Sequence, residues 1–155
     1  MTTDFPHTYR VSLSGRDPQK GCGVLDSDQA PQIVSGPPPQ FEGTDTWWSP
    51  EQLLLGALAT CQMTTFFAIA RHKKLEVNDF ECHTEGLLDK TADGLRFTSI
   101  TIRMDIDMAV PDCDKVERVV QATKKHCIVS NTLSVPVQVK ATVRCSGDQV
   151  RTIAA

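Results

Sequence analysis

From Leu53 to Ala70 the chain carries no charged side chain, and this stretch constrains the fold more than any other. Its start is marked by Ser49, a good N-cap, followed by Pro50 at the first helical position and by Glu51 in the first turn. Its end is marked by Arg71, His72, Lys73 and Lys74, cations that complement the C-terminal end of a helix dipole. A helix from Pro50 to about Lys74 is expected. The uncharged length touches the threshold for a membrane span. Gly56, Thr60, Gln62, Thr64 and Thr65 dilute it, however, and no aromatic belts or second span accompany it. The expected alternative is a helix covered on every side. One subunit of 155 residues has few elements with which to do that, so a second subunit is expected to help.

The remaining pattern reads as short strands around two helices. Tyr9, Val11 and Leu13 alternate with polar residues as in a half-buried strand, and Val24-Leu25 and Gln32-Ile33-Val34 suggest two more. Ser35 to Gln40 is a proline-rich connector. Phe80, Cys82 and Leu88 mark a strand that turns at Asp93-Gly94. Ile100, Ile102, Met104, Ile106 and Met108 alternate without a break, and Pro111 ends that strand. Asp114 and Glu117 have the spacing of a capping box, opening a helix with Val116, Val120, Thr123 and Cys127 on one face. Val135 to Val143 is the last expected strand, with residues 146–155 as a C-terminal tail. The order gives an α+β fold with a largely antiparallel sheet and two long helices, in a single domain over residues 1–155.

Composition narrows the function. A formal net charge of −3, a pI near 5.8 and the lack of a basic run offer no electrostatic basis for nucleic-acid binding. The opening residues show neither a basic nor an apolar signal region, so a cytoplasmic location is expected, with most of the six cysteines as free thiols. There is no CxxC or HxxxH pair to nucleate a metal site, and no nucleotide-binding or esterase motif. No metal and no membrane partner are expected.

The cysteines differ in setting. Cys22 (in Gly-Cys-Gly), Cys113 and Cys145 read as incidental, and Cys82 as core packing. Cys61 lies mid-helix in the uncharged segment, among Ala57, Thr60, Thr64 and Thr65, whose small size leaves room for a reagent. A thiolate there, stabilised by a nearby cation, attacks a peroxide oxygen and becomes a sulfenic acid, which a second thiol converts to a disulfide. Cys127, where the second helix gives way to a turn, is a plausible second thiol. Its neighbour His126 points about 100° away on a helix and reads as solvated.

Together, Ser49-Pro50-Glu51-Gln52, Leu54, Ala57, Ala59 and Cys61, followed by Cys127-Ile128-Val129-Ser130, resemble the OsmC/Ohr family. Gly15-Arg16-Asp17 and Gly23-Val24-Leu25-Asp26 extend the similarity. The resemblance implies an intertwined α+β homodimer that reduces organic hydroperoxides, with active sites at the subunit interface. It implies Cys61 as the peroxidatic and Cys127 as the resolving residue. Arg16 resembles the arginine that favours the thiolate, and Glu51 the glutamate that orients it. Gln40 precedes Phe41-Glu42-Gly43 where one branch has arginine, and Ile128 stands where proline is usual. No bound cofactor is implied; the reductant is an external dithiol such as a lipoyl group.

Glu51 and Cys61 lie ten residues apart, about 15 Å along a helix, which a glutamate side chain cannot span. An arginine must bridge them, or the glutamate must come from the other subunit. Trp47, Trp48, Met63, Phe66 and Phe67 are candidates for an apolar entrance suited to lipid-like substrates. The rival to catalysis is a dimer that binds a hydrophobic ligand or senses redox state through its thiols.

Overall fold

The computed structural model describes residues 5–17, 19–27, 29–109, 113–146 and 149–155. The chain divides into two compact units, one up to Leu54 and one from Leu55 onward.

The first unit is built on three antiparallel strands, β1 (Ser12–Asp17), β2 (Cys22–Asp26) and β3 (Ile33–Ser35), in the order β1-β2-β3. Cys22 is thus the first residue of a strand and is buried, while Gly21 takes the turn with φ 64°. The alternation at Tyr9, Val11 and Leu13 does not bury those side chains. All three are well exposed, and the strand begins only at Ser12. The connector continues into a 3-10 turn at Pro39–Phe41, after which Glu42 is left-handed. A side chain at Gly43 would lie 1.7 Å from the Pro37 carbonyl oxygen, so only glycine lets the two backbone segments approach.

Helix α1 (Pro50–His72) begins as its sequence indicates. The Ser49 backbone N–H donates to Gln52 Oε1 at 2.9 Å and the Gln52 N–H to Ser49 Oγ at 3.1 Å, a reciprocal capping box. At the far end Lys74 is left-handed with φ 55°, and the Leu75 N–H bonds back to the Ala70 carbonyl.

The second unit holds a four-stranded sheet ordered β4-β5-β6-β7. Strands β4 (Val77–Thr91) and β5 (Gly94–Met108) form a long hairpin whose turn places Gly94 at φ 102°. Strand β6 (Val137–Cys145) runs parallel to β5, and β7 (Gln149–Ala154) returns antiparallel to β6. The expected C-terminal tail is therefore mostly an edge strand. Its residues alternate too weakly in hydrophobicity to announce it. Pro111 lies outside the described residues.

One face of this sheet is the core. Ile100, Ile102, Met104, Ile106 and Met108 of β5 and Val139, Ala141 and Val143 of β6 are almost wholly buried. Helix α2 (Cys113–His126) lies against β6 and β7 with Val116, Val119, Val120 and Thr123 buried. Asp114 sits inside α2 rather than capping it, and pairs with Arg151 of β7, which also reaches Glu117 at 3.7 Å. The capping-box spacing was thus a cross-element ion pair. A short helix, α3 (Ile128–Thr132), follows.

Cys113 and Cys145 are joined in a disulfide, with Cα atoms 6.0 Å apart. They are not incidental thiols: the first residue of α2 is bonded to the last residue of β6. Sequence could not pair them because the contact depends on how α2 packs on the sheet.

Along α1, Leu58, Gln62, Phe66 and Ala70 are buried. Their four-residue spacing makes one narrow stripe, and burying Leu58 and Phe66 contributes about 1.5–3 kcal/mol each. Phe66 and Phe67 both pack against Phe80 of β4, with tilted rings whose centroids lie 5.3 Å apart. The helix was expected to be covered on every side. Within this chain only 22% of its most apolar window is buried, although the helix is long and apolar enough, at mean hydropathy 1.7, to cross a membrane.

Candidate thiol site

Cys61 lies beside the buried stripe of α1 and is half-buried. Its helical turn is held locally by Thr64, whose hydroxyl donates to the Thr60 and Cys61 carbonyls at 2.9 and 3.2 Å. Cys127 stands between α2 and α3 and is fully buried. It is where α2 stops: its φ and ψ of −68° and 107° are extended, and its carbonyl accepts the first bond of α3, from the Asn131 N–H at 3.1 Å.

The fold brings these two residues, far apart in sequence, close enough that the Cys61 thiol acts on that of Cys127. Both remain free thiols. Burial pushes the Cys127 thiol up from its ordinary range, the Ser130 hydroxyl and backbone N–H pull it partly back, and the Cys61 sulfur raises it again. A fully buried thiol thus lies near a second, half-buried one. Ser130 was visible in sequence only as part of the motif after Cys127. Its role depends on the tight turn of α3, which brings residue 130 back onto residue 127.

The other expected site residues are distributed unevenly. Glu51 lies in the first turn of α1, and its Oε2 is buried without a hydrogen-bond partner. Arg16 is on β1 and exposed, and no ion pair joins it to Glu51 among the described residues. Trp47 is half-buried, with Gly36 beneath its ring, whereas Trp48 is 53% exposed and its backbone pairs with Val34 and Gly36. Met63 is exposed and Phe67 half-buried, so both can meet a ligand. Phe66 cannot. It is wholly enclosed and belongs to the core, because its place on the stripe aims it at Phe80.

Gln62, next to Cys61, is fully buried, and neither amide atom finds a hydrogen-bond partner. An unpaired buried amide is costly, and the sequence pattern alone does not reveal it. Cys82 is half-buried on the sheet, and burial raises its thiol. His126 is exposed, as expected.

A model of the OsmC-like protein family matches residues 43–142, most of the chain and both cysteines of the contact. The chain belongs to the OsmC-like family. It is 25% identical over 148 residues to the uncharacterized Bacillus subtilis protein YmaD, covering 92% of this chain and 98% of that one. Its fold is that of solved OsmC-like structures. The OsmC-like protein VCA0330 of Vibrio cholerae superposes with a TM-score of 0.78 at 16% identity, covering 89% of this chain and 99% of that one. The OsmC-like protein of Mycoplasma pneumoniae gives 0.76 at 20% identity over 90% and 99% of the two chains. The Legionella pneumophila organic hydroperoxide resistance protein OsmC gives 0.71 at 20% identity over 90% and 98%.

Proposed function

We propose that this OsmC-like protein is a thiol-dependent peroxidase that reduces organic hydroperoxides to alcohols. Two free thiols brought near each other by the fold, Cys127 buried and Cys61 half-buried, carry the reading. The name of the Legionella relative, an organic hydroperoxide resistance protein, agrees with it.

The half-buried Cys61 is the sulfur a reagent reaches, and it reacts as the thiolate. It attacks the distal oxygen of the hydroperoxide and breaks the O–O bond. The departing alkoxide takes up the proton Cys61 released and leaves as the alcohol. The sulfur, now oxidised by two electrons, is a sulfenic acid. Cys127 attacks that sulfur, its proton leaves with the hydroxyl as water, and a Cys61–Cys127 disulfide remains. An external dithiol then returns both thiols by exchange and is itself oxidised. No bound cofactor takes part.

Two further features belong to the same reading. The buried, unpartnered Oε2 of Glu51 is a place for a guanidinium, and Arg16 is the candidate to fill it once the site is assembled. The open apolar faces of α1 call for a second subunit, so the working form is a homodimer with its sites at the interface.

The test is consumption of cumene hydroperoxide by the purified protein with dihydrolipoamide as reductant, followed by mass spectrometry of the peroxide-treated form. Catalytic turnover and a Cys61–Cys127 disulfide are expected. A protein that binds cumyl alcohol but consumes no peroxide would instead be a hydrophobic-ligand carrier, the reading that the exposed Met63 and half-buried Phe67 of α1 would then favour.

A further inference from the structure

At the opposite end of α1 from its N-cap lies a partly enclosed cavity of about 550 Å³, lined by the turn after α1 and by α2. Four cations line it: Lys73, Lys74, Lys115 and Arg118. Among the described residues no carboxylate does. Lys73, Lys74 and Arg118 form no ion pair with any described residue. Ile69, Leu75 and Val119 give the same cavity an apolar wall, with Val119 buried.

Two observations argue that this is more than a solvated surface. A cavity of this volume falls in the range of small-molecule sites, which pair apolar walls with a few convergent polar groups. Lys74 also holds a left-handed backbone where helices normally end in glycine. The chain keeps an ammonium at a position where glycine would relieve strain. The closing bonds of the turn, Lys73 N–H to the Ile69 carbonyl and Leu75 N–H to the Ala70 carbonyl, both at 2.9 Å, fix the two lysines at the rim.

We infer that this cavity binds a small amphipathic anion, a medium-chain alkyl group bearing a carboxylate or phosphate head. The oxygens of the head lie among the four cations, and the tail lies along Ile69, Leu75 and Val119. The site is separate from the thiols. Ile69 is eight residues from Cys61, about 12 Å along the helix, and the inference stands whether or not the peroxidase reading does.

The experiment is calorimetric titration of the full chain, in its native oligomeric state, with decanoate, decyl phosphate, decanol and decyltrimethylammonium. The two anions are expected to bind, more weakly as salt is raised, while decanol and the cation bind at least about tenfold more weakly. Lys74→Gly is expected to melt at a higher temperature than wild type and yet to bind decanoate several-fold less well, a combination that a merely structural lysine would not produce. Arg118→Glu should weaken both anions by about tenfold or more, and Ala122→Phe, which fills the cavity, should block them while leaving the melting transition cooperative. Equal binding of decanol and decanoate would overturn the inference. So would unchanged affinity in Lys74→Gly and Arg118→Glu, no binding at all because a second subunit covers the cavity, or association with phosphatidylglycerol vesicles alone.

Discussion

Helix α2 has a cysteine at each end, and the two have opposite fates. Cys113 opens the helix and is bonded to Cys145 of β6, whereas Cys127 follows the helix and faces Cys61 without a bond. At 14 residues the helix separates the two pairs by about 20 Å, too far for exchange between them. The bonded pair joins two elements that are already packed together, and both its residues are buried. The open pair lies between α2 and α1, a helix most of whose apolar window is not buried within this chain, and Cys61 is only half-buried. The difference is one of setting. A cysteine pair inside a docked block is a staple. A pair spanning from that block to a loosely held helix, with one thiol open to reagents, has the access and the freedom to cycle.

The sharpest way to break this contrast is Cys61→Ser. On the proposed mechanism it removes the attacking sulfur, and peroxide consumption falls by at least about a thousandfold, to the uncatalysed rate. Retained turnover would remove the open pair from the chemistry altogether. Next in size is the staple. Its two cysteines are 32 residues apart, and loop-closure entropy gives a cross-link of that length about 3–4 kcal/mol. The Cys113→Ala/Cys145→Ala protein should lose that much in urea unfolding, and wild type should lose a similar amount when reduced. Its peroxide turnover under native conditions should match wild type; a fall in parallel with Cys61→Ser would show that the two pairs are coupled through α2.

Cys127→Ser should separate the two halves of the open pair. The first peroxide equivalent is still consumed, but the sulfenic acid on Cys61 persists and is trapped by dimedone. Turnover on dihydrolipoamide falls by about tenfold, because an external thiol replaces one held in place. Rapid formation of a disulfide between Cys61 and Cys22 or Cys82 would instead assign the resolving role elsewhere.

How much of this was legible in sequence follows the range of the interactions. Ser49, Pro50 and the basic end of α1 are local signals, and they located the helix within two residues. The alternation from Ile100 to Met108 is local as well, and every one of its apolar positions is buried. Cys61 and Cys127 were singled out by small neighbours, by a helix end and by a family pattern, yet their contact required the two helices to be placed. The Cys113–Cys145 bond, the Arg151–Asp114 pair and β7 all depend on one packing event, α2 against β6 and β7, and the apolar face of α2 does not say which strands it meets. Phe66 and Phe67 show the same boundary at single-residue scale. They are adjacent and chemically identical, and only the direction of the buried stripe decides that the first is core and the second half-open.

The smallest predicted effect concerns the electrostatics that keep the open pair open. Burial and the Cys61 sulfur raise the Cys127 thiol, and Ser130 partly restores it. Cys127 is therefore a neutral thiol at neutral pH, and formation of the Cys61–Cys127 disulfide should accelerate as pH rises into and beyond the ordinary thiol range. Ser130→Ala removes the hydroxyl but keeps the backbone N–H, so it should move that profile further to the alkaline side and slow the step a few-fold at neutral pH, measured by stopped-flow after a single peroxide equivalent. The stability effect has the matching sign. A thiol raised in the folded state binds its proton more tightly there than in the unfolded chain, so its contribution is complete below the ordinary thiol range and is lost as pH climbs through it. The bonded pair has no proton to lose. In the Cys127→Ser protein the share of this alkaline loss due to Cys127 should disappear while the staple's contribution stays constant with pH, and an unchanged alkaline slope would mean that the burial of Cys127 does not set its reactivity.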